Sequence, residues 1–355
     1  MKYYICLEED RIWYVRGRFK RCAGSGLRRC LEIVEWEFVE PVPDVVSALT
    51  RLAEKHGMEG KRVNLIVGRD VKMMGFTIPK AGKNAMKRMA VNEMSLLDAG
   101  FGNHAVALDL RAKAGRTKAA VTAYYMEQRS LDAYKKALED GKMICGRVLV
   151  LPDCMALMAR ELWREERVLL LDVSQGGMGF YVLSGGHCLA CRMTGLKAGC
   201  FLREEALDML CEEMAEQVEG LIQDCRTEAD IPVPDCMVIM TSCIPDAGAA
   251  AEYMSERFKI PCCVRMPEPV DATCLAVCVA GSLEGKKKAL ELEELGYGDG
   301  ENSVLGHGPF MTRGRALFLL ANGLAAAGLS FHAACLNHRA GKELARTEYA
   351  MEGAE

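Results

Sequence analysis

The stretch 168–183 reads VLLLDVSQGGMGFYVL. A fully apolar run from Val168 to Leu171 ends in Asp172. Ser174 then leads into Gly176, Gly177 and Gly179, and the chain turns apolar again from Phe180 to Leu183. This pattern predicts a buried strand, a glycine-rich turn and a second strand. Gly185 and Gly186 return the chain into a third strand over 187–193. Two readings of the glycines stay open. An ordinary hairpin needs them for its twist. A phosphate-binding hairpin needs them so that backbone N–H groups approach an anion, while an aspartate holds a magnesium ion or its water.

On the C-terminal side, Leu207, Leu210, Met214, Val218, Leu221 and Ile222 recur at helical spacing within 203–225. A buried strand at 236–240, a turn TSCIP over 241–245, a helix over 246–258 and a short strand at 262–265 follow. The N-terminal side starts the same way. Residues 2–7 and 11–18 read as a hairpin, and LEIVEWEF (31–38) alternates as a further strand. Asp44 is placed to cap a helix over 45–56 with Val46, Leu49, Leu52 and Ala53 on one face, and VNLIV (63–67) is a buried strand. Between the two halves, 76–143 reads strand, helix, strand, strand, helix, a compact α+β insert. A strand at 148–151 and a helix at 154–163 close the first half.

The chain has 355 residues, 50% of them hydrophobic, enough to fill one or two cores. Its net charge is −4, and its basic clusters at 16–21 and 286–288 are short and flanked by acids. No concentrated basic face points to nucleic acid. The apolar stretch at the start is too short for the core of a secretory signal, so the N-terminal part is expected in the cytosol. Seventeen cysteines lie mostly in apolar runs, where cysteine acts as a small apolar residue. The pair Cys188 and Cys191 has C-x-x-C spacing but no second pair to complete a zinc set. A thiol enzyme would need a histidine base, and His187, adjacent to Cys188 on a strand, points to the opposite face.

The order of elements resembles the actin-like ATPases, above all the PilM type with its relatives FtsA and the cytoplasmic domain of GspL. Three places carry the resemblance: the hairpin after Asp172, the insert at 76–143, and Val238–Ser242 with its following helix. It implies an α/β, actin-like (ribonuclease H-like) fold. Lobe one would be 1–75 and 144–165, and lobe two 166–284. In that family the hairpin, here Asp172, Ser174, Gly176 and Gly177, faces the phosphates, Asp172 the magnesium, and Ser242 the adenosine side. Two elements depart from the pattern. The first phosphate loop is replaced by Leu7-Glu8-Glu9-Asp10-Arg11, where three carboxylates would repel a triphosphate by on the order of several kcal/mol per close pair near a surface. The adenosine turn carries Ile244 and Pro245 in place of a double glycine. The expectation is a pseudo-ATPase without a cofactor. The alternative is an actin-like or sugar-kinase-like ATPase that uses ATP and magnesium at Asp172.

Residues 285–312 are polar and glycine-rich and read as a linker. No formally charged residue occurs over 316–338, which is long enough to span a bilayer, and Arg313 and Arg315 precede it. The expectation is a membrane helix over 313–338 with a tail at 339–355, or an Ala-rich helix packed on the main domain. The resemblance implies a scaffold at the cytoplasmic face of the inner membrane in pilus or secretion assembly. Its partner would be PilN-like, docked between the first lobe and the insert, and self-association stays open.

Overall fold

A computed structural model describes residues 1–8, 11–21, 29–39, 44–97, 103–111, 117–163, 167–174, 177–194, 206–228, 231, 233–241, 243–244, 246–265, 276 and 289–294. The expected membrane helix, the tail, and the linker beyond residue 294 lie outside these residues.

The first lobe starts with β1 (Lys2–Leu7), β2 (Ile12–Arg21) and β3 (Arg29–Val39), an antiparallel meander. Helix α1 (Val45–Lys55) crosses to β4 (Arg62–Val67), which lies parallel to β1. Asp44 caps α1 as expected, accepting from the amides of Val46 at 3.0 Å and Ser47 at 3.3 Å. The buried face of α1 is Ala48, Leu49, Leu52 and Ala53. Val46, expected on that face, points outward, one helical position off the stripe. Strand β8 (Ile144–Val150) completes the sheet, in the order β3-β2-β1-β4-β8.

The second lobe repeats this plan. Strands β9 (Arg167–Ser174), β10 (Gly177–Ser184) and β11 (His187–Thr194) form the meander, and α5 (Leu207–Glu228) leads to β12 (Cys236–Thr241), parallel to β9. Helix α6 (Ala247–Phe258) and β13 (Cys262–Arg265) follow, giving the order β11-β10-β9-β12-β13. Gly185 and Gly186 take φ of 59° and 84°, the positive values that a two-residue hairpin turn requires.

Helix α4 (Leu151–Trp163) joins the halves. Every residue from Leu151 to Ala159 is buried, as expected of a helix covered on all sides. It shares one apolar core with β1 and β4 of the first lobe and with Val168, Leu170, Tyr181 and Val238 of the second. A separate core on the far side of the second sheet takes in α5 and α6.

The insert is a sheet of β5 (Lys72–Pro79), β6 (His104–Arg111) and β7 (Lys118–Glu127) with α2 (Lys83–Leu97) packed on it through Met86, Ala90, Val91 and Met94. Helix α3 (Gln128–Asp140), grouped with the insert from sequence, instead buries Leu131, Ala137 and Leu138 in the first lobe's core. It is the crossover that carries the chain back into β8.

Residues 289–294 depart from the linker expected over 285–312. Ala289 and Leu292 are buried in the first lobe's core. The Leu292 amide donates to the Val148 carbonyl at 3.0 Å. The Leu290 amide donates to Asp153 Oδ2 at 2.7 Å. Strand β14 (Glu293–Glu294) then pairs with β6, so this strap ties the first lobe to the edge of the insert's sheet.

Candidate functional site

The two meanders bring their first turns together. Leu7 and Ile12 are the last paired residues of β1 and β2, so Glu8 and Arg11 stand opposite each other across the turn. The Glu8 amide donates to the Arg11 carbonyl at 2.9 Å, and the side chains form an ion pair at 2.8 Å. Trp13 Nε1 donates to the same carboxylate at 3.0 Å. The Arg11 guanidinium lies over the Trp13 ring, 5.1 Å from its centroid, an arrangement favoured by the ring's quadrupole. From the other lobe, Ser174 Oγ accepts a short hydrogen bond from Arg11 Nη2 and donates to the Gly177 carbonyl at 2.9 Å.

The polar side chains of the two turns therefore face each other. Glu8, Arg11, Asp172 and Ser174 are 7%, 6%, 5% and 1% exposed, so protein atoms already cover them. The hairpin's glycines also have packing reasons. A Cβ on Gly179 would sit 2.7 Å from the Tyr181 ring, and one on Gly177 would sit 3.0 Å from the Thr194 carbonyl. Burial, then the nearby carboxylates of Asp172 and Glu8, push the Tyr181 phenol well above its usual range. After β12, Thr241 Oγ1 accepts from the amides of Cys243 at 3.1 Å and Ile244 at 3.2 Å, which folds Ile244 inward to 4% exposure. In this arrangement Glu8, Arg11 and Ser174 are engaged with one another. Of the residues read as nucleotide-facing, Asp172, Ser174 and Gly177 come together, whereas Gly176 and Ser242 lie outside the described residues. Sequence reasoning missed Arg11. The available signal was an opposite-charge pair directly across a hairpin end.

A second feature is open. A cleft of about 760 Å³ lies between the insert and the second lobe. Met73 and Tyr125 of the insert face Cys191 and Met193 of β11 across it, with Asp70 and Lys72 among its polar groups. Both β5 and β11 are edge strands of their sheets. Tyr134 Oη donates to Asp70 Oδ2 at 2.6 Å, and Arg192 pairs with Asp224 at 2.6 Å beside the cleft. Beyond it, His187 Nδ1 lies 2.8 Å from Asp109 Oδ2, a polar tie between the second lobe and the insert. Among the described residues, no helix is long and apolar enough to cross a membrane.

Two lobes of identical strand order around a shared helix, with a module inserted into the first, define the actin-like fold. One solved structure supports this fold, and two weaker likenesses stand beside it. The PilM–PilN type IV pilus biogenesis complex is similar at 12% identity over 80% of this chain and 99% of that one, with a TM-score of 0.61. The cytoplasmic domain of EpsL, an inner membrane component of the type II secretion system of Vibrio cholerae, matches at 13% identity over 80% and 96% with a TM-score of 0.44. The ethanolamine utilization protein EutJ from Carboxydothermus hydrogenoformans matches at 14% identity over 78% and 89% with a TM-score of 0.41. At 12% identity the first of these speaks for the fold alone. No protein-family model matches the chain, and no curated protein matches it in sequence.

Proposed function

We propose that this protein is an actin-like scaffold of the PilM type that binds a partner peptide and has lost nucleotide binding. The observation that carries the reading is the closed Glu8–Arg11–Ser174 network. Its guanidinium and carboxylate satisfy each other where an ATPase of this fold would leave both turns open to phosphate. A buried pair of this kind resists exchange for a ligand, since separating it leaves a charge in a low-dielectric site.

The cleft beside β5 and β11 is the docking place. Two open strand edges offer backbone hydrogen bonds to an extended chain, and methionines on both walls adapt to its side chains. The fold's similarity to PilM, solved together with PilN, supports a PilN-like cytoplasmic segment as the occupant. The uncharged stretch 316–338 supports placement at the cytoplasmic face of a membrane in pilus or secretion assembly.

Two measurements test this reading. Calorimetry of the full chain with ATP and magnesium should give no binding. Micromolar, magnesium-dependent binding lost in Asp172→Ala would overturn the pseudo-ATPase part. A labelled peptide copying the cytoplasmic N-terminus of a co-encoded PilN-like protein should bind, and Met73→Glu should weaken it at least tenfold. Equal binding by that variant removes the cleft as the site.

A further inference from the structure

The C-x-x-C pair lies on β11, where a regular strand would send residues three apart to opposite faces. Strand β11 is not regular. Val182 pairs with Ala190 and Leu183 with Cys188, so Leu189 is an extra residue in a β-bulge. Cys191 stands opposite Tyr181 and Cys188 opposite Leu183, two residues of one sheet face. Both thiols are therefore turned to the first lobe's core, and Ala190 to the other core. Across the cleft, Met73 Sδ of β5 lies 3.9 Å from Cys191 Sγ. The Cys188 thiol is fully buried and donates to the Ala190 carbonyl at 3.3 Å.

Two thiols on one face of β11 and a thioether of β5 in contact with one of them thus lie on facing strands. Metal–sulfur bonds of about 2.3 Å hold the ligands of a trigonal ion about 4 Å apart. The 3.9 Å separation between Met73 and Cys191 meets that spacing without rearrangement. A thioether is a ligand for soft ions and a poor one for zinc. Among the described residues, no group of three or more His, Cys, Asp or Glu is placed to hold a metal ion without a thioether. Cys191 and Met73 both line the open cleft, which gives an ion its way in.

We propose that Cys188, Cys191 and Met73 form a three-sulfur site for a soft monovalent ion, Cu(I). On binding, each thiol releases its proton to solvent and the ion enters without a change of oxidation state. The bound ion would join β5 of the insert to β11 of the second lobe. With 17 cysteines in the chain, total copper uptake cannot report on this site, so the test must be residue-specific.

The full-length reduced protein receives one equivalent of Cu(I), delivered anaerobically from its bicinchoninate complex. Iodoacetamide labelling is then followed peptide by peptide by mass spectrometry. Cu(I) should slow labelling of Cys191 at least tenfold. That protection should be lost in Cys188→Ser and should fall several-fold in Met73→Leu. Absence of protection in the unsubstituted protein, or protection untouched in Met73→Leu, overturns the proposal. If Cys188→Ser does not fold, Met73→Leu decides, together with X-ray absorption of the copper-loaded protein. There, sulfur neighbours at about 2.3 Å are expected, and a shell of nitrogen or oxygen overturns the site.

Discussion

Arg11, in the turn just before β2, and Ser174 at the end of β9 are joined by a short hydrogen bond although 163 positions separate them in the chain. The contact locks the first turn of one lobe to the first turn of the other. Arg11→Ala leaves Glu8 buried without its ion-pair partner and should cost about 3–5 kcal/mol. Replacing both partners, with Glu8→Gln and Arg11→Met, should cost less than Arg11→Ala alone. Urea midpoints of these two variants and the unsubstituted protein check this, and a double variant less stable than Arg11→Ala contradicts the role given to the pair.

Asp153 in the first turn of α4 gives a pH signature. Burial pushes its carboxyl up to about 7, and the Asp109 carboxylate adds to this against the opposing Leu290 amide, His187 and Arg160. The folded state thus holds the proton to higher pH than the unfolded chain does. Between about pH 4 and pH 7 the native form binds more protons, so this group's stabilisation is full below that window and is lost as pH rises through it. Asp153→Asn keeps an oxygen acceptor for the Leu290 amide and should flatten this slope. It should raise stability at pH 8 by on the order of a few kcal/mol, read from melts across pH.

The strap should contribute to the first lobe. Leu292→Ala removes a buried side chain and should destabilise by about 2–3 kcal/mol. Hydrogen exchange at Ala105 and Val106, which pair with β14, should quicken in the same variant.

Gly179 is explained by Tyr181. Gly179→Ala drives a methyl into the buried ring and should cost about 1–3 kcal/mol. Shortening the ring with Tyr181→Leu should make the two changes non-additive, the double variant losing less than the sum. Additive losses in denaturation would show that the glycine serves something other than this ring.

The fold was legible because both lobes announce themselves locally. The apolar runs at 63–67 and 168–171, the Asp44 cap and the glycine pair at 185–186 each follow from residues close in sequence. The candidate site was less so. Asp172 and Ser174 could be placed at a hairpin end, but the plug beside them comes from Arg11, and nothing near Arg11 announces Ser174. The bulge that turns Cys188 and Cys191 to one face depends on pairing with Val182 and Leu183. The strap was read as linker because ALELEE over 289–294 is half acidic and runs into a polar, glycine-rich stretch. Its alternating leucines gain meaning only once Val148 and β6 are there to receive them.

The strap also decides where mechanical load would enter. Tension on the polypeptide beyond residue 294 reaches the body through the strap's ties, first at the edge of β6 and then at the Val148 carbonyl and Asp153. Among the described residues, a pull from that end is borne first by the insert and the first lobe.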